Sequence, residues 1–202
     1  MHGSIGATSD HDVRGTVGGR IIGKRVARSG VEAAKEETTM AIKRMNHAVL
    51  YVRNADRTFA FYRDVLGFRV VNEMPGAKFL QAPDSTNDHD LGIFEIGAAA
   101  GDSTAGRATV GLYHIAWEVQ TLADLRDIAM KLADAGALVG ATDHSTTKAL
   151  YGKDPDGLEF EVCWLVPQRF LSDDVVEAKT RMRALDIEAD IERYGLETVG
   201  GV

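Results

Sequence analysis

Residues 46–52 have the sequence NHAVLYV, and residues 113–119 have the sequence YHIAWEV. Both runs are rich in β-branched and aromatic residues, which is typical of β-strands. The second residue of each run is a histidine, and these two residues, His47 and His114, are 67 positions apart. The two runs therefore predict equivalent strands in an internally duplicated chain.

The segment that follows each of these strands has the features of a helix. Asn54 can cap a first helix, and Gly67 stands where a left-handed residue ends one. In the second copy, Thr121 and Asp124 have the spacing of a capping box, and Gly136 takes the place of Gly67. Both segments therefore predict a helix closed by glycine.

Three shorter strand-like runs follow the helix in each copy. The chain is thus predicted to contain a βαβββ module twice, at about residues 45–97 and 112–166. One module buries its sheet poorly, so we expect the two to pack side by side around a shared concavity. The fold class that follows is α+β, with the paired modules forming an open, eight-stranded, cupped sheet.

Composition and charge restrict the class of protein. The chain has 202 residues, of which 45% are hydrophobic and 26% charged, as in ordinary globular proteins. A net charge of −7 argues against a nucleic-acid partner. The single cysteine, Cys163, excludes an internal disulfide and fits a reducing cytoplasm. No apolar run approaches the length of a membrane-spanning helix, so no membrane association is expected.

The two ends of the chain differ from the duplicated part. Residues 1–40 are rich in glycine and polar residues, and we predict a mobile N-terminal extension without a secretory signal. The domain itself is predicted at residues 41–170. Residues 171–202 form a C-terminal segment, in which acidic residues after Ser172 favour a helix over residues 173–194.

Glu161 completes a set of metal-ligand residue types with the two histidines. It follows His114 by 47 residues and lies in a strand-like run between Phe160 and Val162. An unpaired carboxylate in such surroundings costs several kcal/mol, roughly, and a metal partner removes that cost. Two histidines and one carboxylate form the facial triad that binds non-haem Fe(II) and leaves open positions for substrate and O₂. We therefore predict that His47, His114 and Glu161 are metal ligands.

Four segments of the chain resemble the vicinal oxygen chelate superfamily, which includes glyoxalases, bleomycin- and fosfomycin-resistance proteins and extradiol dioxygenases. The segments are residues 47–52 (HAVLYV), 61–71 (FYRDVLGFRVV), 112–119 (LYHIAWEV) and 154–162 (DPDGLEFEV). The last is the most specific, because an acidic metal ligand follows the DPDG turn by four residues in this family, at Glu161 here. The family usually has asparagine after DPDG, whereas this chain has Leu158.

Further histidines make the chain most similar to the extradiol, catechol-cleaving branch. Residues 87–94 (NDHDLGIF) and 143–157 (DHSTTKALYGKDPDG) are similar to segments of that branch. The resemblance implies that His89 is an acid/base residue and that His144 and Tyr151 orient the substrate. The interval between His144 and Tyr151 is shorter than in that pattern, and the loop at residues 97–111 is longer.

The resemblance implies an Fe(II)-dependent ring cleavage, with Mn(II) as the alternative metal. A small aromatic diol and O₂ are the expected partners, with no nucleic acid and no membrane. A homodimer or higher homo-oligomer in the cytoplasm is the family expectation.

Two alternatives stay open at the level of sequence. One is a metal-dependent glyoxalase-like isomerase or lyase, or a thiol transferase. Glu95 could supply the fourth ligand of the glyoxalase arrangement, although Ile93 aligns with that position equally well. The other is a non-catalytic binding protein, but such relatives lack the ligand triad.

Overall fold

The protein is described from a computed structural model that covers residues 41–106 and 108–201. The predicted extension over residues 1–40 lies outside the described residues. Among the described residues, 43–106 and 108–201 belong to one compact unit.

The first module has the predicted βαβββ order. Its elements are β1 (Ala48–Val52), α1 (Ala55–Leu66), β2 (Arg69–Met74), β3 (Ala77–Gln81) and β4 (Leu91–Glu95). The predicted caps of α1 are confirmed: the side chain of Asn54 accepts a hydrogen bond from the amide of Arg57, and Gly67 has a φ of 76°. A side chain at Gly67 would be strained, so the sharp exit from α1 into β2 depends on glycine.

The second module repeats this order. Its elements are β5 (His114–Glu118), α2 (Leu122–Asp134), β6 (Leu138–Asp143), β7 (Thr147–Lys153) and β8 (Glu159–Leu165). The capping box of α2 is present, with reciprocal hydrogen bonds between Thr121 and Asp124. The duplication and the α+β class are therefore confirmed.

The eight predicted strands fall into two hydrogen-bonded sheets. The first has the order β1-β4-β3-β2, and the second has the order β5-β8-β7-β6 with a short ninth strand, β9 (Arg183–Ala184), at its edge. In each sheet the first strand of the module pairs parallel with the last, and the other pairs are antiparallel.

Each sheet is covered by its helix on one face only. Leu50, Val52 and Ile93 are buried in a cluster that includes Tyr62 of α1. In the second sheet, residues such as Val162 are buried against α2. Side chains alternate between the faces of a strand. The other face of each sheet is called the open face below.

The turn between β7 and β8 joins the two modules. Asp156 accepts hydrogen bonds from the backbone and side chain of Arg53 and from the guanidinium of Arg57, at 2.5 to 3.1 Å. Its side chain is only 6% exposed. These hydrogen bonds keep the pKa of the Asp156 carboxyl below its usual range, although burial alone would raise it. The DPDG segment therefore clamps β1 and α1 of the first module to the second.

The predicted single helix over residues 173–194 is wrong. The structure has α3 (Asp173–Glu177), the strand β9, and α4 (Ile187–Tyr194) instead, with 3-10 turns at Gln168–Phe170 and Ala178–Thr180. Charged and apolar residues alternate over residues 181–184 (RMRA), the part of the segment that contains β9. β9 pairs with β6, and Asp186 then caps α4 by accepting from the amide of Ala189.

A buried ion cluster fastens α4 to the second sheet. The ammonium of Lys148 is 2.7 Å from Asp143 and 3.0 Å from Asp190, and the Lys148 side chain is 2% exposed. Burial raises the pKa of the Asp190 carboxyl, and the hydrogen bond from Lys148 opposes that rise. The C-terminal segment is thus an integral part of the second module's core.

Candidate metal centre

The open face of the second sheet carries a histidine and a carboxylate in direct contact. Nε2 of His114 lies 3.1 Å from Oε2 of Glu161, with side-chain exposures of 25% and 13%. The strand register explains the contact: Glu161 stands opposite Ala116, two residues after His114 and on the same face. Ile115 and Trp117 point the other way, into the core that contains α1.

The separation between these two atoms fits shared coordination of one cation. Two donor atoms about 2.1 Å from a metal ion and at a right angle to each other lie about 3 Å apart. Nδ1 of His114 is buried without a hydrogen-bond partner among the described residues. Nε2 is therefore the nitrogen that faces the open side and the carboxylate. His114 and Glu161 fit two adjacent positions of a divalent metal.

Tyr151 and His144 lie beside this pair. Tyr151 stands opposite Glu161 in the register of β7 and β8, and its hydroxyl is 2.9 Å from Nε2 of His144. The rings of Tyr151 and His114 are 5.9 Å apart between centroids. Burial, and then the charge of Glu161, raise the pKa of the Tyr151 phenol. Tyr151 therefore stays a neutral phenol at physiological pH and can donate a hydrogen bond.

His47 and His89 form a second group, on the first module. Their rings are 4.3 Å apart between centroids and tilted by 32°. His47 directly precedes β1, and His89 lies in the loop before β4. The ring of His89 also contacts Phe79 of β3, at 5.2 Å.

One nitrogen of each of these two rings is held by a neighbouring side chain. Nδ1 of His47 is 2.8 Å from Oδ1 of Asn46, and Nδ1 of His89 is 2.9 Å from Oδ2 of Asp88. The contact with His89 lowers the pKa of the Asp88 carboxyl. Both acceptor oxygens require a proton on Nδ1, so Nε2 of each ring is free to bind a metal or to accept a proton.

The six predicted site residues thus lie in two groups, His114, Glu161, Tyr151 and His144 in one and His47 and His89 in the other. Within residues 41–106 and 108–201, no three His, Cys, Asp or Glu side chains are grouped closely enough to hold a metal ion. The structure brings together two of the three predicted ligands, and ligation by His47 stays a prediction.

Glu95 has a structural role on the opposite side of the first sheet. Its Oε2 accepts a hydrogen bond from the amide of Ala55, at the first turn of α1. It shares the helix-covered face with Leu91 and Ile93, which are fully buried. Because a carboxylate at a helix N-terminus is stabilising, the position of Glu95 needs no metal to explain it.

The strand register places a glycine at the counterpart of Glu161. Gly92 stands opposite Val49, two residues after His47, just as Glu161 stands opposite Ala116, two residues after His114. By strand register, the first-module counterpart of Glu161 is therefore Gly92, neither Glu95 nor Ile93. Glycine has no side chain to offer a metal.

The remaining residues singled out from the sequence divide between the core and the open face. Trp117 and Trp164 pack into the helix-covered cores, whereas Phe79 lies beside His89. Burial, and then the nearby carboxylates of Glu161 and Glu118, raise the pKa of Cys163 to about 12. A thiol with that pKa is not a nucleophile at neutral pH.

Sequence reasoning missed Tyr113. Its ring contacts that of His114, with centroids 4.7 Å apart. Its position next to a predicted ligand was the available signal.

None of the helices in the described part of the chain is long and apolar enough to cross a membrane.

Comparison with known proteins agrees with the fold. The profile of the glyoxalase/bleomycin resistance protein/dioxygenase superfamily matches residues 44–162, and the chain belongs to this superfamily. A solved glyoxylase/bleomycin resistance protein/dioxygenase domain from Frankia sp. EAN1pec is similar in fold. It has 20% sequence identity and a TM-score of 0.50, and the similarity covers 61% of this chain and 92% of the Frankia chain.

Two curated relatives are named as ring-cleaving dioxygenases. A biphenyl-2,3-diol 1,2-dioxygenase of Rhodococcus globerulus is 36% identical over 116 residues, which cover 56% of this chain and 59% of the relative. A catechol-2,3-dioxygenase of Bacillus subtilis is 31% identical over 157 residues, which cover 76% of this chain and 53% of the relative. The chain therefore spans between half and two thirds of the length of these relatives.

Proposed function

We propose that the protein is an Fe(II)-dependent extradiol dioxygenase that cleaves a catechol-type aromatic with O₂. One observation carries the proposal: Nε2 of His114 and Oε2 of Glu161 lie 3.1 Å apart on an open sheet face, as two ligands of one metal would. The names of the curated relatives support the same reaction. In this reaction a ring carbon–carbon bond beside a hydroxyl-bearing carbon breaks, and both atoms of O₂ enter the product.

His47, His114 and Glu161 would hold the metal, which is Fe(II) with Mn(II) as the alternative. When bound, the metal would supply open coordination positions and the redox chemistry that a reaction between a diol and O₂ needs. The carboxylate of Glu161 offsets part of the metal's charge. The site is then close to neutral when the diol binds as a monoanion.

Three further side chains handle protons and orientation. Asp88 holds Nδ1 of His89, so Nε2 is the atom that accepts a proton from the substrate or returns one to the product. Tyr151, kept neutral by its raised pKa, donates a hydrogen bond to the ionised substrate oxygen. His144 contacts the Tyr151 hydroxyl and fixes its direction.

The four-ligand arrangement of a glyoxalase isomerase is less well supported, because Gly92 is the first-module counterpart of Glu161 and Glu95 contacts α1. A non-catalytic binding role is less well supported, because the curated relatives are named as ring-cleaving dioxygenases. The cytoplasm and a homo-oligomeric assembly belong to the proposal as family expectations.

Anaerobic reconstitution tests the proposal. The purified chain is loaded with Fe(II) under argon, its iron content is measured, and a panel of catechols is added before air is admitted. We expect a yellow ring-fission product with at least one catechol. Bound iron without a yellow product from any catechol in the panel contradicts the proposal.

A further inference from the structure

The buried ion cluster lies directly behind the turn that carries His144. Asp143 ends β6, and His144 is the first residue of the turn from β6 into β7. Oδ1 of Asp143 accepts a hydrogen bond at 2.7 Å from Nζ of Lys148 and another at 2.7 Å from the backbone amide of Ser145. One carboxylate therefore ties the residues on both sides of His144 to the ammonium of Lys148.

The turn itself has a strained backbone. Ser145 is 4% exposed and has a φ of 70°, and among the described residues it is the one non-glycine residue with a positive φ. A residue with a Cβ adopts this conformation at a cost in free energy, so contacts with the surroundings have to hold it in place. The hydrogen bond from the Ser145 amide to Asp143 is such a contact. The direction of the His144 side chain therefore depends on the position of the Asp143 carboxylate.

The C-terminal segment supplies the other half of the cluster. Nζ of Lys148 is 3.0 Å from Oδ1 of Asp190 in α4, and Nη2 of Arg183 in β9 is 3.1 Å from Oδ2 of Asp143. Lys148 and Arg183 are balanced by the two carboxylates, so loss of Asp190 leaves an excess positive charge at a buried position. Arg183 and Asp190 both lie beyond residues 44–162, which the superfamily profile matches.

The cluster also lies behind Tyr151. Lys148 and Tyr151 are three residues apart in β7, so their side chains point to opposite faces of the sheet. Lys148 is buried on the face that α4 covers, and Tyr151 contacts His144 on the open face, with 2.9 Å between its hydroxyl and Nε2. The ion cluster thus fixes the backbone beneath both side chains that are predicted to orient the substrate.

We propose that Lys148 and Asp190 are positioning residues, which hold His144 in contact with Tyr151 through the carboxylate of Asp143. The inference rests on the proposed function, in which His144 and Tyr151 orient the substrate. Without the cluster the strained turn relaxes, and the ring of His144 leaves the Tyr151 hydroxyl. The C-terminal segment therefore takes part in substrate orientation from the covered side of the sheet.

Nuclear magnetic resonance of the histidine rings tests the positioning in the metal-free chain. The full chain is labelled with ¹⁵N, and the ring signals of His144 are identified by their absence from His144→Asn. Asp190→Ala removes the carboxylate that α4 contributes. Glu188→Ala is the matched control, because Glu188 lies in the same helix, is 71% exposed and stands outside the cluster, 4.0 Å from Arg126.

We expect Asp190→Ala to shift the ring signals of His144 and to leave those of His47, on the first module, unchanged. Glu188→Ala should leave both sets at their wild-type positions. Unchanged His144 signals in folded Asp190→Ala overturn the inference. Shifts of equal size at His47 and His144 also overturn it, because they report a change throughout the chain.

A milder variant keeps the test decisive if Asp190→Ala does not fold. Arg183→Ala removes the 59% exposed partner of Asp143 and leaves the buried contacts of Lys148 in place. The same His144 signals should shift by a smaller amount. His144 signals at their wild-type positions in this variant overturn the inference.

Turnover by the Fe(II)-loaded chain then tests whether the position of His144 matters for the reaction. We expect Asp190→Ala to lower kcat/KM for catechol about tenfold in the wild-type background. It should cause no further loss in His144→Ala, because the ring that the cluster positions is absent. A further tenfold loss in the double variant indicates a structural role alone and overturns the inference. If the wild-type chain cleaves no catechol, the proposed function fails, and the histidine spectra still decide whether the cluster positions His144.

Discussion

The first and second modules place different side chains at positions that the strand register makes equivalent. His47 corresponds to His114, but Gly92 stands where the second module has Glu161. Phe79, which is opposite Gly92, corresponds to Tyr151, which is opposite Glu161. Duplication of the module gave the chain two copies of each position on the open faces, yet only one copy carries a carboxylate and a phenol.

This difference explains why the candidate centre is asymmetric. A metal held by one histidine from the first module and two ligands from the second has three protein ligands, which leaves positions for a chelating diol and O₂. A second carboxylate at residue 92 would occupy one of those positions. Under the proposed function, Gly92 therefore leaves open a position that a fourth protein ligand would fill in an isomerase site.

Removal of the carboxylate should have the largest effect. Glu161→Ala deletes one of three proposed ligands, and we expect the affinity for Fe(II) or Mn(II) to fall by at least about 100-fold. Titration calorimetry under argon measures this change. Glu95→Gln is the control and should bind metal like the wild-type chain, because the Glu95 carboxylate accepts a hydrogen bond from the start of α1. Wild-type metal affinity in Glu161→Ala would show that Glu161 is not a ligand.

A carboxylate introduced at residue 92 tests the difference between the two modules in the opposite direction. A Cβ at Gly92 would lie 3.4 Å from a methyl of Val49, so the first atom of a side chain fits at this position. We expect Gly92→Glu to bind metal at least as tightly as the wild-type chain but to cleave catechols about 100-fold more slowly, because an open position is filled. Metal titration and the rate of oxygen uptake measure the two effects. Undiminished cleavage would mean that residue 92 does not face the metal.

Removal of the clamp between the modules should lower the free energy of unfolding and should have no direct effect on metal binding. Asp156→Ala leaves the guanidinium groups of Arg53 and Arg57 without their shared partner, and we expect a loss of about 2 kcal/mol in the free energy of unfolding. Urea denaturation measures it. Asp64→Ala removes an exposed pair with Arg63 and serves as the control, with no measurable change expected. Equal effects of the two substitutions would contradict the role of the clamp.

The same clamp predicts a pH dependence of stability. The folded-state pKa of Asp156 is below its unfolded value, so its contribution is complete above about pH 4 and is lost as the pH falls through the lower, folded-state pKa. Asp156→Asn should lack this part of the acid sensitivity. If the free energy of unfolding changes with pH in the same way for the wild type and the variant below pH 4, Asp156 is not the source of this acid sensitivity.

The smallest expected effect is on the reactivity of the Cys163 thiol. The counterpart of Cys163 in the first module is Phe94. Burial raises the pKa of Cys163 to about 12, so native protein should not react with iodoacetamide at pH 8. Mass spectrometry measures the modification, and protein unfolded in urea should take up one equivalent. Rapid labelling of the native chain would contradict the buried position of this thiol.

Much of the fold was predictable because its signals are local. Asn54, Gly67 and the pair Thr121 and Asp124 are capping residues whose roles depend only on near neighbours. The duplication was visible because a histidine recurs at the same place in two strand-like runs. The C-terminal segment was mispredicted because pairing of β9 with β6 and the cap at Asp186 outweighed a weak helical pattern.

The site was less predictable, since it depends on register and on distant pairs. The sequence of β4 does not show which of its residues stands opposite Val49, so Glu95 and Ile93 were both candidates for a fourth metal ligand. The strand pairing places Gly92 opposite Val49 instead. The contact between Arg53 and Asp156 joins residues 103 positions apart, and no local pattern indicates it. Whether His47 joins His114 and Glu161 depends on the packing of one module on the other, which sequence spacing does not determine.

The most direct test of the account is anomalous diffraction at the iron edge from crystals of the Fe(II)-loaded chain grown under argon. We predict one strong peak about 2.1 Å from Nε2 of His47, Nε2 of His114 and a carboxylate oxygen of Glu161, with no ligand from residue 92. A peak that lacks His47, or iron bound at another group of side chains, would contradict a three-ligand centre shared by the two modules.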